Sequence, residues 1–215
     1  EKQTPPWDEN DSFDAYDNKG KPLANPDVYI PVGQAGYTGY DQNRDRGLLL
    51  TIRAGTGNNI TPSFYFSIAL GAVTGGAEYR WNIANCNTTV YHTGDLLTSE
   101  PGNMVGPTVQ GARDLIDLDP SAYWDTATKT VKGSAFGQHS PRVFPLPLYD
   151  PVYYDTGKRN GRDADLKTAN WIGFFLDHTQ GNDLYGRITP IRGIYDRNAG
   201  PAPVGVFPKA IRLIQ

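Results

Sequence analysis

The segment Thr168-Ala-Asn-Trp-Ile-Gly-Phe-Phe-Leu176 is apolar at both odd and even positions. Side chains alternate between the two faces of a strand, so a strand with one solvated face shows apolar residues at every second position only. The pattern here therefore predicts a central strand that is covered on both faces.

Other short apolar or aromatic runs lie on either side of this segment and are bounded by Gly, Pro, Asn and Asp, which is typical of strands and turns. In Phe64–Leu70, apolar residues alternate as expected for one buried face. Pro145 and Pro147 have no N–H to donate, so their segment should be an edge strand or a bulge. The predicted strands are Val28–Ile30, Leu48–Ile52, Phe64–Leu70, Arg142–Leu146, Thr168–Leu176, Leu184–Thr189 and Ala210–Ile214.

One amphipathic helix interrupts the strands. Pro107 suits a first helical turn, apolar residues follow at spacings of three and four, and Asp119-Pro120 ends the pattern. A second short helix is possible around residues 77–84. We therefore expect a mainly β protein: a single β-sandwich or barrel-like domain over residues 26–215, with a helical insertion near 107–118, preceded by an extended N-terminal arm over residues 1–25.

Composition excludes several classes of protein. The chain has 215 residues, a net charge of −3 and no basic stripe, which argues against a nucleic-acid binder. No apolar segment approaches the roughly 18 residues of a membrane span. A single cysteine, Cys86, excludes an intrachain disulfide and a cysteine zinc site, and it is interpreted as a small buried residue.

Two kinds of functional site can be considered from residue types. Asp41, Asn43 and Asp45 present alternating oxygen ligands, so calcium is the one cofactor that the sequence suggests. The EF-hand pattern is not met, and a solvated turn explains the same residues.

A secreted hydrolase would need one of the three histidines to meet a carboxylate and a nucleophile in space, since no local motif is present. Those histidines are His92, His139 and His178.

The segment Gly94-Asp-Leu-Leu-Thr-Ser-Glu-Pro-Gly-Asn-Met-Val-Gly-Pro-Thr-Val-Gln-Gly111 is distinctive, and Asp119–Asp125, Pro147–Pro151 and Ala169–Phe175 accompany it. Together these segments resemble the extracytoplasmic part of TadE/TadG-like proteins, which are related to Flp pilus assembly. The resemblance spans roughly residues 55–215. It implies an exported or cell-surface setting and a role with surface appendages, and it brings no catalytic residues.

The N terminus adds a further expectation. Residue 1 is Glu and no leader pattern follows, so we expect the chain to begin after a processing step or at an artificial boundary. Trp7, within a polar arm, suggests that the arm docks on its own domain or on a neighbouring copy.

The favoured hypothesis is a non-enzymatic structural subunit of an extracellular or cell-surface filament, assembled from identical copies. In this hypothesis the arm adds to a neighbour as a strand, and aromatic and apolar side chains make the contacts. The candidate contact residues are Trp7, Val28, Ile30, Tyr153 and Tyr154. The alternatives are a secreted hydrolase acting on cell-wall or polysaccharide material, and a monomeric sugar- or calcium-binding module.

Overall fold

The computed structural model describes residues 21–54, 64–71, 74–85, 87, 89–159 and 166–191. Strands hold more of these residues than helices do, which agrees with the predicted mainly β class. In chain order the elements are β1 (Leu49–Ala54), β2 (Phe64–Tyr65), α1 (Gly76–Ala84), β3 (Leu96–Leu97), α2 (Val105–Leu118), β4 (Tyr123–Asp125), β5 (Thr130–Lys132), β6 (Val143–Tyr149), α3 (Pro151–Arg159), β7 (Leu166–Gln180) and β8 (Asp183–Thr189).

A six-stranded sheet forms the centre of the fold. Four strands follow the order β2-β1-β8-β7, and β7 also pairs with β3 and with β6. All pairs are antiparallel except the short parallel pair of β1 with β2. β4 and β5 form a separate antiparallel hairpin. Neither sheet closes into a barrel within the part of the chain that the structure describes.

β7 is the central strand predicted from residues 168–176. Every residue from Ile172 to Leu176 is buried, although the segment has no alternation of polar and apolar side chains. Residues Gly173 to Phe175 pair with β6 and with β8, so these two strands lie on opposite edges of β7. The prediction of a strand covered on both faces is therefore confirmed.

Different elements cover the two faces of β7. Ile172, Phe174 and Leu176 share one face and belong to the main core, in which helix α2 packs on the sheet. Phe175 lies on the opposite face, where Trp124 of β4 stacks on it with ring centroids 6.2 Å apart. The buried residues of the main core are Leu50, Val109, Ala112, Leu115, Ile172, Phe174, Leu176, Leu184 and Ile188.

A second, smaller core lies at the Leu166 end of β7. Leu97, Tyr154 and Leu166 are buried there, and partly buried aromatic side chains pack around them. The ring of Phe66 lies 5.3 Å from that of Tyr149 and 5.0 Å from that of Tyr154, centroid to centroid. These edge-to-face and tilted contacts are the favourable geometries for aromatic pairs.

Both predicted helices are present. α2 begins two residues before Pro107 and ends at Leu118, directly before Asp119-Pro120, as the sequence indicates. α1 crosses it closely, because Gly111 has no side chain: a Cβ there would lie 2.9 Å from the carbonyl oxygen of Arg80 and from Cβ of Ile83. The close crossing places Arg80 against Asp114, with Nε 2.6 Å from Oδ2.

Two strand predictions are wrong in whole or in part. Val28–Ile30 is not a strand, because the main chain of Ile30 closes a local loop instead. Its N–H donates to Oγ1 of Thr38 at 3.0 Å, and its carbonyl accepts from the N–H of Thr38 at 3.3 Å. In Phe64–Leu70 only Phe64 and Tyr65 form a strand, since the chain then bonds to the segment at residues 98–100 through isolated contacts. The strand predicted at Ala210–Ile214 lies outside the described residues.

β6 is an edge strand, as its prolines predict. In the described part of the chain it pairs with β7 alone. The carbonyl of Arg142 accepts from the N–H of Leu176 at 2.9 Å. Every second residue after Arg142 therefore turns its main-chain N–H and C=O groups toward β7. The main chain of Phe144, Leu146 and Leu148 therefore faces β7, and that of Pro145 and Pro147 faces outward.

Candidate functional site

Two of the predicted contact residues, Tyr153 and Tyr154, lie at the Leu166 end of β7. Asp150 organises this end: its Oδ1 accepts from the N–H groups of Val152 at 3.0 Å and Tyr153 at 2.9 Å and so caps α3. Its own N–H donates to the carbonyl of Lys167 at 2.8 Å. Burial and the charge of Asp150 raise the pKa of Tyr29, which follows Val28 in the chain.

This end of the molecule leaves large apolar side chains in solvent. Leu96 is 53% exposed and Val152 48%, whereas Val28, which is 59% exposed, lies on the separate segment before Ile30. Leu96 lies directly opposite Lys167 across the β3–β7 pair. The Lys167 ammonium lies 5.6 Å from the centroid of the Tyr153 ring, within cation–π range. We call Leu96, Val152, Tyr153 and Lys167 the Lys167 surface.

The remaining predicted contact residues have other positions. Tyr154 is only 9% exposed and packs in the second core, so it supports the Lys167 surface from inside. Ile30 is partly buried, in the loop that Thr38 closes. Trp7 lies outside the described residues. Leu96 and Val152 were missed by sequence reasoning, although Asp150-Pro151 is a helix-start signal that would have placed Val152 in a first helical turn.

The predicted calcium ligands form a turn that an arginine closes. Asp41 Oδ1 accepts from the N–H groups of Asn43 and Arg44, at 2.9 Å and 2.8 Å. Arg44 donates to both oxygens of Asp45, at 2.9 Å and 2.7 Å. In the described ranges no group of three or more His, Cys, Asp or Glu side chains is placed to hold a metal ion. A calcium ion here would have to displace Arg44 from the carboxylate of Asp45. Calcium binding stays a prediction.

Two of the histidines considered for hydrolysis are far apart. His92 lies beside Asp95, with Nδ1 3.5 Å from Oδ2, next to the strand that pairs with Lys167. His178 lies near the other end of β7, stacked on Tyr185 with ring centroids 4.6 Å apart. At about 3.3 Å per residue along β7, these positions are roughly 35 Å apart, so the two imidazoles cannot share one cleft.

The distinctive loop at residues 100–108 is used inside the fold. The carboxylate of Glu100 accepts from the N–H of Gly75 at the start of α1. Thr108 Oγ1 accepts from the hydroxyl of Tyr65 at 2.8 Å and donates to the carbonyl of Met104 at 2.7 Å. Burial raises the pKa of Tyr65 to about 12. The loop thus joins α1, α2 and β2, which agrees with its interpretation as a turn that leads into a helix.

Comparisons with protein-family models, with curated proteins and with solved structures find no match to this chain. Among the described residues, no helix has both the length and the apolar character that a bilayer span requires.

Proposed function

We propose that the protein is a structural subunit of an extracellular or cell-surface filament, and that identical copies contact one another through the Lys167 surface. The exposure of Leu96 and Val152, on the two elements that flank Lys167, carries the proposal. Single exposed apolar side chains are common on soluble proteins, whereas grouped ones indicate a contact surface. The resemblance to pilus-assembly-related proteins supports an exported setting.

The underlying structure is suited to a contact surface. Tyr149 and Tyr154, with centroids 5.7 Å apart, form a packed aromatic layer in the second core. Asp150 fixes the first turn of α3 that carries Val152 and Tyr153. A surface held rigid in this way loses little conformational entropy when a partner binds, so more of the contact free energy appears as affinity.

The N-terminal arm of residues 1–25 belongs to the proposal as a second contact between copies. Strand addition at β6 is disfavoured, because Pro145 and Pro147 face outward and give that edge no N–H donors. Val143, also outward, already donates its N–H to the carbonyl of Ser140 at 3.0 Å. In this proposal the arm therefore docks elsewhere on the neighbouring copy.

The sandwich-like architecture is also part of the proposal. The β4–β5 hairpin covers the face of β7 opposite α2, and Trp124 of the hairpin stacks on Phe175. A second β layer on this face is the arrangement that a sandwich-like domain requires.

Sedimentation velocity over a range of concentrations, with electron microscopy of the same samples, tests the proposal. The wild-type protein should self-associate, and Leu96→Asp combined with Val152→Asp should abolish association while circular dichroism shows an unchanged fold. Trp81→Asp is the matched control, because Trp81 is similarly exposed, at 52%, but lies on α1. A wild-type protein that stays monomeric at all concentrations would overturn the proposal. Removal of residues 1–25 tests the arm separately.

A further inference from the structure

The outer face of the β4–β5 hairpin carries an aromatic ring among polar side chains. Side chains alternate between the two faces of a strand, and Trp124 points inward, where it stacks on β7. Tyr123 and Asp125 therefore share the opposite, outer face. The register adds the residues across from them, since Tyr123 pairs with Lys132 and Asp125 pairs with Thr130. We call Tyr123, Asp125, Thr130 and Lys132 the hairpin face.

Tyr123 is exposed to solvent and yet held in position. It is 56% exposed. An added Cβ at Gly133 would lie 3.0 Å from both Cδ1 and Cε1 of the Tyr123 ring, so the ring rests against bare main chain at that position. Gly133 also has a positive φ of 70°, which favours glycine there. A ring that is already placed offers an apolar contact at a low cost in conformational entropy.

The polar end of the hairpin face is a chain of ordered oxygen atoms. Asp125 Oδ1 accepts from the N–H of Ala127 at 3.0 Å, and Oδ2 accepts from the hydroxyl of Thr128 at 2.7 Å. Because Thr128 gives its one hydroxyl proton to Asp125, the hydroxyl of Thr130, at 2.7 Å, donates to Oγ1 of Thr128. Hydrogen bonds from Thr128 and from the N–H of Ala127 lower the pKa of Asp125. The ionised carboxylate and the two hydroxyls thus form a fixed row of hydrogen-bonding groups.

Both ends of the hairpin are attached to neighbouring main chain. At the turn, Nε of Arg46 donates to the carbonyl of Lys129 at 2.8 Å. At the open end, the hydroxyl of Ser121 donates to the carbonyl of Gly133 at 2.6 Å. The inward stacking of Trp124 fixes the middle of the hairpin on the sheet. A binding surface on such a supported element keeps its geometry when no ligand is present.

The charges of the hairpin face offset each other. Lys132 and Asp125 are its two charged residues, and the charge of Lys132 contributes to the lowered pKa of Asp125. Lys129 of the turn lies on the other side, since its Cδ is 3.7 Å from the position of an added Cβ at Gly47, beside Trp124. A face without net charge gives no attraction for a polyanion such as a nucleic acid. An apolar partner would bury the carboxylate and the ammonium at a large desolvation cost.

We propose that the hairpin face binds an uncharged polysaccharide. A sugar ring has an apolar face of C–H groups and a rim of hydroxyls, so its C–H face stacks on Tyr123 while its hydroxyls bond to Asp125, Thr130 and Lys132. Tyr123 and Asp125 are two residues apart on one face, roughly 7 Å along the strand, which is comparable with the length of one sugar residue. The site lies on one copy of the chain, so this inference does not depend on assembly through the Lys167 surface.

Affinity electrophoresis in native gels tests this binding. The gels contain hydroxyethyl cellulose, galactomannan or dextran as uncharged polysaccharides, or alginate as an acidic one. The wild-type protein should be retarded in at least one uncharged gel and not in alginate. Tyr123→Ala should weaken binding about tenfold, and Tyr123→Trp should retain it. Thr130→Val, which removes one hydroxyl, should weaken it about threefold. Trp81→Ala is the matched control, because it removes a ring that is 52% exposed on α1 and should leave binding unchanged.

Three results would overturn the inference. The first is a wild-type protein that is not retarded by any of the three uncharged polysaccharides. The second is retardation in alginate that equals or exceeds that in the uncharged gels, since the ligand class would then be wrong. The third is a Tyr123→Ala variant that is retarded as strongly as the wild type, because binding would then occur elsewhere. Thermal unfolding verifies that each variant is folded, and the sedimentation test of the proposed function is unaffected by these outcomes.

Discussion

The guanidinium of Arg142 lies over the ring of Phe175, with Cζ 4.9 Å from the ring centroid. Arg142 is only 3% exposed, and its N–H groups donate to main-chain carbonyls from α2's end, from β7 and from the segment before β4. Burial lowers the pKa of Arg142 from its ordinary value, and the carboxylates of Asp177 and Asp119 oppose that shift. One side chain therefore joins the central strand to the loops around it.

Replacing this arginine should be strongly destabilising. For Arg142→Met we expect a loss of about 3 kcal/mol in the free energy of unfolding, because the carbonyls of Asp119, Ala122 and Leu176 lose their donors in a buried site. Urea denaturation at pH 7 measures the loss. Arg80→Met is the control: the Arg80–Asp114 pair lies on the surface, so its removal should have a much smaller effect. Equal losses in the two variants would contradict the role given to Arg142.

Asp119 should make the protein sensitive to acid. Burial alone would raise the pKa of Asp119, but hydrogen bonds from Ser140, Ser134 and the N–H of Ala135, together with the charge of Arg142, bring it below its ordinary value. The stability that the ionised carboxylate contributes is then fully present above the unfolded-state pKa of about 3.9. It is lost as the pH falls through the lower pKa of the folded state.

Two substitutions test this acid dependence. The measurement is urea denaturation from about pH 2 to about pH 7, a range that includes the ordinary pKa of Asp. Asp119→Asn should lower stability at neutral pH and flatten the decline below about pH 4, since the titrating group is gone. Ser140→Ala removes one donor to the carboxylate and should shift the decline to higher pH. An Asp119→Asn variant with the acid profile of the wild type would show that other carboxylates control it.

Two glycines of α2 should respond to alanine in opposite ways. At Gly106 an added Cβ has no heavy atom within 4 Å, so Gly106→Ala should stabilise the helix by about 0.5 kcal/mol. At Gly111 the Cβ would push against Arg80 and Ile83 of α1, so Gly111→Ala should cost roughly 1–3 kcal/mol. Thermal unfolding of both variants measures the difference. The same sign of change in both would show that α1 yields freely at the crossing.

The prolines of β6 should protect the sheet edge from pairing with other chains. Pro145→Val with Pro147→Val restores two outward N–H groups, and we expect the fold to be retained but non-specific association to increase. Light scattering and thioflavin T fluorescence measure the association. Pro101→Val, which changes a proline in the loop before α2, serves as the control. An unchanged scattering signal in the double variant would show that something else blocks this edge.

The sequence predicts best those elements whose own pattern is strong. β7 is apolar on both faces over Ile172–Leu176, and α2 has apolar residues at helical spacing between Pro107 and Asp119. Val28–Ile30 shows the limit of this approach: three apolar or aromatic residues favour a strand, but the hydroxyl of Thr38 competes for the main chain of Ile30. Such tertiary contacts are not visible in local propensity.

The candidate surfaces were predicted only in part, for a related reason. Val28 and Tyr153 were identified as apolar and aromatic contact residues, yet Tyr154 next to it is buried, because the helix periodicity of α3 turns adjacent residues to different sides. The Asp119–Arg142 network joins residues more than twenty positions apart. No spacing rule brings such pairs together, so this network could be found only from the three-dimensional arrangement.

The pairing of β7 with β6 and β8 on its two edges has a mechanical consequence. Both neighbours run antiparallel to β7. A tensile force applied to the two ends of β7 would act along this strand. The inter-strand hydrogen bonds would then be loaded together in shear, instead of opening one after another as they do when a strand is peeled from its sheet.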